Sequence, residues 1–233
     1  TIVNLKGNRV LKVVGNHSRA EMPATANLPP VGDTFSLSIW FYAEQSKVFN
    51  TDLRLICNQE KHDKIVYYHL LVSLEGSDLY SFKSKSVLRS RIQRANEYSG
   101  NYDETSSDKI VFPERWIHVV QTFGEDKHKL YMDGTLLDIQ AVIERYNFST
   151  TVGFELGGCS QLSEDRGFVG YLDDFRVFDH ALSVDEIRNV YYGLDYDSTT
   201  PTSPIDSLII TEPDWSKNYI QNTPQNKIII EPS

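Results

Sequence analysis

Hydrophobic and polar residues alternate along much of the chain, and alternation at period two marks a strand with one buried face. From Thr34 to Tyr42, Phe35, Leu37, Ile39 and Phe41 fall on one side; Ser36, Ser38, Trp40 and Tyr42 fall on the other. Leu53 to Cys57, Val66 to Leu74 and Trp116 to Phe123 read as further strands. Lys129 to Met132 and Thr135 to Ile139 flank Asp133-Gly134, a pair that tolerates positive φ at both positions and so predicts a tight hairpin. Thr151 to Gly157 and Phe168 to Phe178 supply the last strands. Many short strands separated by turn signals predict an all-β sandwich or barrel.

The helical period stands out at Ser183 to Tyr192. Ser183 and Glu186 fit a capping box, Gly193 supplies the stop, and Ile187, Val190 and Tyr191 form an apolar stripe. A helix this short does not hold itself together in water, so it is expected to dock on a sheet. Beyond Tyr196 the composition changes. Asp197 to Pro204 is rich in Ser, Thr and Pro, and the tail 195–233 carries six acids against Lys217 and Lys227. The expected organisation is one domain over 1–194 and an acidic tail over 195–233. The apolar patches Leu208 to Ile210 and Ile228 to Ile230 are candidates for docking back on the body.

Composition narrows the function. The chain has 233 residues, 40% hydrophobic and 24% charged, which is the make-up of a folded domain. No apolar run approaches the roughly 20 residues of a membrane helix. No secretory leader is evident and residue 1 is Thr, so the chain reads as a piece of a longer protein. The net charge of −9 argues against a general nucleic-acid binder, which needs a basic face. Cys57 and Cys159 are too few for a disulfide scaffold and lack metal spacing. The simpler reading is two buried thiols; a single bridge is the alternative.

Several phrases together carry a family resemblance: Thr34 to Tyr42; Trp116-Ile-His-Val; Leu130-Tyr-Met-Asp-Gly134; Glu155-Leu-Gly-Gly158; Gly170 to Phe178; and Ala181 to Ile187. Their order and spacing over about residues 10 to 194 resemble the laminin-G-like jelly roll of the concanavalin A-like lectin/glucanase superfamily. Lectin-like domains within clostridial toxin binding regions have a similar pattern. The resemblance implies two antiparallel sheets packed face to face, a jelly-roll sandwich closed by one short C-terminal helix. That superfamily includes glycan binders, adhesion modules, glycosidases and spacers, so function must be argued from a site.

Glucan-hydrolysing members carry clustered acids at alternating positions of one strand, which lets two carboxylates face one sugar. That pattern is absent. Glu164-Asp165 and Asp173-Asp174 are adjacent pairs, which a regular strand points to opposite faces. Six histidines leave a Ser-His-Asp triad open, but no Gly-x-Ser-x-Gly elbow accompanies them. Alternation places Asp173 with Tyr171, Phe175 and Val177. A carboxylate on an apolar face needs partners, so Asp173 is either a hydrogen-bonded structural acid or, as the resemblance implies, a candidate ligand of structural calcium.

The stretch Lys83 to Arg94 has five basic residues and no acid in an otherwise acidic chain. If extended, it lines up Lys83, Lys85, Arg89 and Arg91 on one face. Such a line suits an anionic glycan or an acidic partner. It also suits a solvated face, a blunted edge strand, or cations neutralised by Glu97, Asp103, Glu104 and Asp108. Asn96 to Asp108 reads as a long polar loop bearing Tyr98 and Tyr102, side chains on which a sugar or protein could stack. Asn58 to Asp63 reads as a second polar connection. Asn16 and Asn147 match N-glycosylation acceptors. The function expected is a non-catalytic recognition or attachment module, extracellular or on a toxin or virion surface. It would bind a glycan or a cell-surface protein receptor, with no nucleic acid and no membrane insertion. The alternatives are a structural assembly domain or, behind it, a glycoside hydrolase.

Overall fold

The computed structural model describes residues 1–5, 7–15, 18–22, 34–44, 53–62, 65–76, 86–93, 102–111, 113–124, 126–142, 154–159 and 167–194. The tail 195–233 and both glycosylation acceptors lie outside them. The strands are β1 (Ile2–Leu5), β2 (Asn8–Val14), β3 (Ala20–Met22), β4 (Phe35–Ala43), β5 (Leu53–His62), β6 (Ile65–Gly76), β7 (Ser86–Gln93), β8 (Tyr102–Val111), β9 (Trp116–Gly124), β10 (Lys127–Met132), β11 (Thr135–Ala141), β12 (Phe154–Leu156) and β13 (Val169–Phe178). One helix follows, α1 (Val184–Tyr192). A seven-stranded sheet runs in the order β1-β2-β13-β4-β9-β10-β11, and a six-stranded sheet in the order β3-β12-β5-β6-β7-β8.

The core lies between these two sheets. Leu37, Ile39 and Phe41 of β4, Ile117 and Val119 of β9 and Leu172 of β13 meet Leu55 of β5, Leu88 of β7 and Leu156 of β12 across it. Phe35, Phe41 and Phe168 are fully buried, and each such ring stabilises the fold by about 1.5–3 kcal/mol relative to exposure. The Asp133-Gly134 turn joins β10 to β11 with φ of 50° and 72°, the left-handed geometry the pair was read to permit.

Helix α1 forms as its sequence implied. The Ser183 hydroxyl accepts from the Glu186 N–H, the Glu186 carboxylate accepts from the Ser183 N–H, and Gly193 closes the other end in the left-handed region. Ile187, Val190 and Leu182 pack on Val120 and Tyr131, the outer side of the seven-stranded sheet. The approach is pinned at Ser36, whose hydroxyl donates to the His180 carbonyl and accepts from the Leu182 N–H, both at 2.9 Å.

Four readings change. Cys57 on β5 and Cys159, just after β12, are joined in a disulfide rather than left as thiols; β12 pairs with β5 and brings their Cα atoms to 5.8 Å. Asn58 to Asp63 is not a connection as a whole, because β5 continues to His62 and pairs with β6. Asn96 to Asp108 is not a loop throughout, because β8 begins at Tyr102 and lines the edge of the six-stranded sheet. Both are polar strands whose backbones are satisfied by a neighbour, and an edge or solvent face needs no apolar side chains. Finally, β13 does not alternate throughout. Its register on β4 shifts between Asp173 and Arg176, where Asp174 has φ 47°. The bulge turns Phe175 and Val177 toward the core, while Asp173 stands opposite Trp40.

Candidate functional site

The outer side of the seven-stranded sheet carries a row of large side chains. Register places Lys12 of β2 beside Tyr171 of β13, Tyr171 beside Tyr42 of β4, and Tyr42 beside Trp116 of β9. Four adjacent strands therefore contribute one residue each to a line across the sheet. All four are half-buried. The ring centroids of Tyr42 and Trp116 are 5.8 Å apart, as are those of Tyr42 and Tyr171. The Lys12 ammonium sits 5.5 Å from the Tyr171 ring centre, a cation–π contact.

Gly170 makes this line close-set. A Cβ there would lie 2.0 Å from the Tyr42 carbonyl oxygen, and its φ is +149°. With only hydrogen at that position, β13 closes on β4 and seats Tyr171 against Tyr42.

The next row along the strands is Asp173, Trp40 and His118, and Tyr191 of α1 packs on the latter two. Trp40 and Tyr191 stack with centroids 5.5 Å apart and planes 16° apart. Beneath them the His118 Nε2 lies 2.8 Å from the Ser38 hydroxyl. Burial first, and then the charge of Arg176, lowers the His118 pKa to about 3, so the ring is neutral. Its Nδ1 has no hydrogen-bond partner among the described residues. This Ser–His pair therefore lacks the carboxylate of a triad, and both residues are inaccessible beneath the helix.

Asp173 is 8% exposed and Asp174 is 1% exposed. Burial raises the Asp173 pKa to about 6; the Asp174 N–H works against the shift and the Asp174 charge adds to it. Burial also raises Asp174, opposed by the guanidinium of Arg176 at 2.7 Å. Among the described residues no third acid, His or Cys side chain joins Asp173 and Asp174 in a metal-ligating group, and both carboxyls are buried. Glu164 and Asp165 lie outside the described residues. Among those described, one other group has metal-ligating residues in reach, Cys57, Glu155 and Cys159, and its two sulfurs are joined to each other.

On its far side the open row is bounded by Val14, which is 59% exposed, by Val169, and by two acids. The Glu44 N–H donates to the Val169 carbonyl, and the Glu114 N–H to the Ala43 carbonyl. Burial raises the Tyr42 phenol above its usual range, and the nearby Glu114, Tyr171 and Glu44 raise it further. Arg115 points its charge at Asp133, 3.6 Å away, which also accepts the His118 N–H.

The basic stretch lies on the other sheet. Arg89 and Arg91 of β7 share a face, as period two requires, and both reach Glu104 of β8. Arg91 stands directly opposite Glu104 in the register. Tyr102 opens β8 opposite Gln93. Lys83, Lys85 and Tyr98 lie outside the described residues. The aromatic row was not singled out from sequence, although Trp40 and Tyr42 fall on the non-core side of their strand by alternation alone. What was missing was the sheet order that puts Tyr171 and Trp116 beside them.

The fold has known counterparts. A family model described as the concanavalin A-like lectin/glucanases superfamily matches residues 14–188. No curated protein matches the chain in sequence. Among solved structures, the ligand-binding domain of botulinum neurotoxin serotype D, determined with N-acetylneuraminic acid, is similar at 16% identity and TM-score 0.61. That match covers 83% of this chain and 44% of the toxin domain, so the chain spans under half its length. The binding domain of Paraclostridial Mosquitocidal Protein 1 matches at 14% identity and TM-score 0.60, covering 83% of this chain and 45% of that one. Domain 4 of an extracellular arabinanase from Geobacillus stearothermophilus, determined with arabinotriose, matches at 15% identity and TM-score 0.55, over 82% of this chain and 80% of that one.

Proposed function

Since the chain belongs to the concanavalin A-like lectin/glucanase superfamily, a fold that hosts many activities, we propose from its site that it is a non-catalytic carbohydrate-recognition module. The observation that carries this reading is the open line of Tyr171, Tyr42 and Trp116 on a rigid sheet. The C–H faces of a sugar ring are apolar and pack on aromatic rings, while phenol and ammonium groups at the same surface meet its hydroxyls. Three half-buried rings aligned on one sheet face leave a partly apolar surface at which a ligand can pack. The Asp173–Asp174 pair is buried, and the buried Ser38–His118 pair lacks a third member among the described residues.

Neighbours of the same fold support the reading, being binding domains solved with N-acetylneuraminic acid and with arabinotriose. The Cys57–Cys159 bridge fits an oxidising compartment, and hence a secreted or surface-displayed parent protein such as an adhesin, a toxin or a virion component. No helix among the described residues is long and apolar enough to cross a membrane.

A second reading rests on the basic stretch that includes β7. Arg89 and Arg91 share a face and pair with Glu104, and in sequence they stand close to Lys83, Lys85, Tyr98 and Tyr102, residue types suited to an acidic glycan or a protein receptor. A glycan array probed with the chain and with its Arg89→Glu/Arg91→Glu variant separates the two surfaces. Glycan binding that survives the charge reversal supports the aromatic row. Binding abolished by it moves the site to β7, and binding to no glycan overturns the proposal. Release of reducing ends from a bound polysaccharide would overturn the non-catalytic part.

A further inference from the structure

We infer that the row across β13, β4 and β9 takes a single uncharged oligosaccharide chain lying perpendicular to the strands, in preference to sialylated or sulfated glycans. This rests on the carbohydrate-recognition reading and adds the ligand's charge, direction and form.

Direction follows from the register. Tyr171, Tyr42 and Trp116 are directly opposite one another on adjacent strands, so the line they form follows the hydrogen-bonding direction of the sheet. Equal steps of 5.8 Å are commensurate with one sugar residue per ring. A ligand running along the strands instead meets Trp40, which is 6% exposed and covered by Tyr191. Helix α1 thus forms a wall on that side.

Form follows from the ring planes. Tyr42 is tilted 59° to Trp116 and 69° to Tyr171. A flat crystalline polymer surface needs coplanar rings. Rings set at steep angles fit one chain whose successive sugars turn with them.

Charge follows from the groups around the row. Glu114 and Glu44 lie close enough to act on the Tyr42 phenol. Lys12 is the cation of the row itself, and its ammonium already rests against Tyr171. Arg115 and Arg176, the nearby guanidiniums, are directed at Asp133 and Asp174. Among the described residues, a sialic acid or sulfate over Tyr42 would face two carboxylates, with Lys12 to offset them at the far end of the line. An uncharged chain meets no such opposition. The Tyr42 phenol, raised above its usual range, keeps its proton at neutral pH and can donate to a sugar hydroxyl.

The test is isothermal titration calorimetry of the full chain against neutral arabino-, xylo- and cello-oligosaccharides of two to five units, with sialyllactose and a heparin oligosaccharide alongside. The expected result is binding to a neutral series. Affinity rises up to three units and then levels off, and changes less than twofold between 50 and 500 mM salt. Trp116→Ala and Tyr42→Ala, checked for folding by circular dichroism, are expected to weaken it at least tenfold each; Trp116→Phe is expected to keep most of it. Preference for the anionic glycans, or affinity falling steeply with salt, overturns the inference while leaving carbohydrate recognition standing. So does neutral binding that ignores both truncations. Binding to none of these sugars overturns both.

Discussion

Replacing Cys57 and Cys159 together by Ala removes the one covalent tie between β5 and the segment that follows β12. Alanine suits Cys57 better than serine, because the site is fully buried and a hydroxyl there would need a partner. The bridge spans 102 residues of sequence. Closing a loop of that size in the unfolded chain is worth roughly 4.7 kcal/mol at 25 °C on chain-entropy grounds. In a domain of this size each kcal/mol moves the melting temperature by about 2–4 °C, so the double variant is expected to melt roughly 10–20 °C lower. Urea unfolding followed by tryptophan fluorescence measures the loss directly, with mass spectrometry confirming the bridge in the parent protein. Reductant should bring the parent to the stability of the variant and leave the variant unchanged. The aromatic row stands on the other sheet, so sugar affinity at a temperature where both forms are folded should change less than twofold. A loss below about 1 kcal/mol in a chain shown to be bridged would refute the reasoning, because the unfolded chain would then gain little freedom from the cut.

Other perturbations address the site. Gly170→Ala pushes a methyl group against the Tyr42 carbonyl; a loss of at least 3 kcal/mol is expected in denaturant unfolding, with Tyr171 displaced from the row, and a loss under 1 kcal/mol would mean β13 does not close on β4 as described. Asp173→Asn bears on pH. The native pKa of about 6 lies above the ordinary value of 3.8, so the native state holds this proton more tightly than the unfolded chain does. The group's stabilisation is therefore complete below about pH 4 and is lost as pH rises through 6. The variant is expected to exceed the parent by roughly 1–3 kcal/mol at pH 7.5, with the gap closing toward pH 4 in a series of melting curves. A gap that stays constant over that range would contradict the burial of a titrating Asp173.

Alternation carried most of the fold. Phe35 to Phe41 and Ile117 to Phe123 are inward by period two, and the capping box at Ser183 fixed where the helix begins. Polar strands were the blind spot. Nothing in Asn58 to His62 or Tyr102 to Ser106 marks them as paired, because their pairing is a backbone matter settled by neighbours far away in sequence. The β13 bulge was equally hidden: a single left-handed Asp174 re-phases Phe175 and Val177, and adjacent acids give no local warning of it. Period two also puts Arg89 and Arg91 on one face, but their shared acid, Glu104, lies on a strand whose polar sequence reads as a loop. The aromatic row depends on sheet order. Its members come from β2, β4, β9 and β13, and only the packing of β13 between β2 and β4 aligns them.

The most direct test of the central claim is the indole N–H region of a proton–nitrogen NMR spectrum of the labelled chain, recorded while a neutral trisaccharide is added. The three tryptophans, Trp40, Trp116 and Trp215, give three signals, and Trp116→Phe assigns the one of interest. The account requires the Trp116 signal to move and saturate with the sugar while that of Trp40, covered by Tyr191, stays nearly still. Saturable binding with an unmoved Trp116 signal would contradict it.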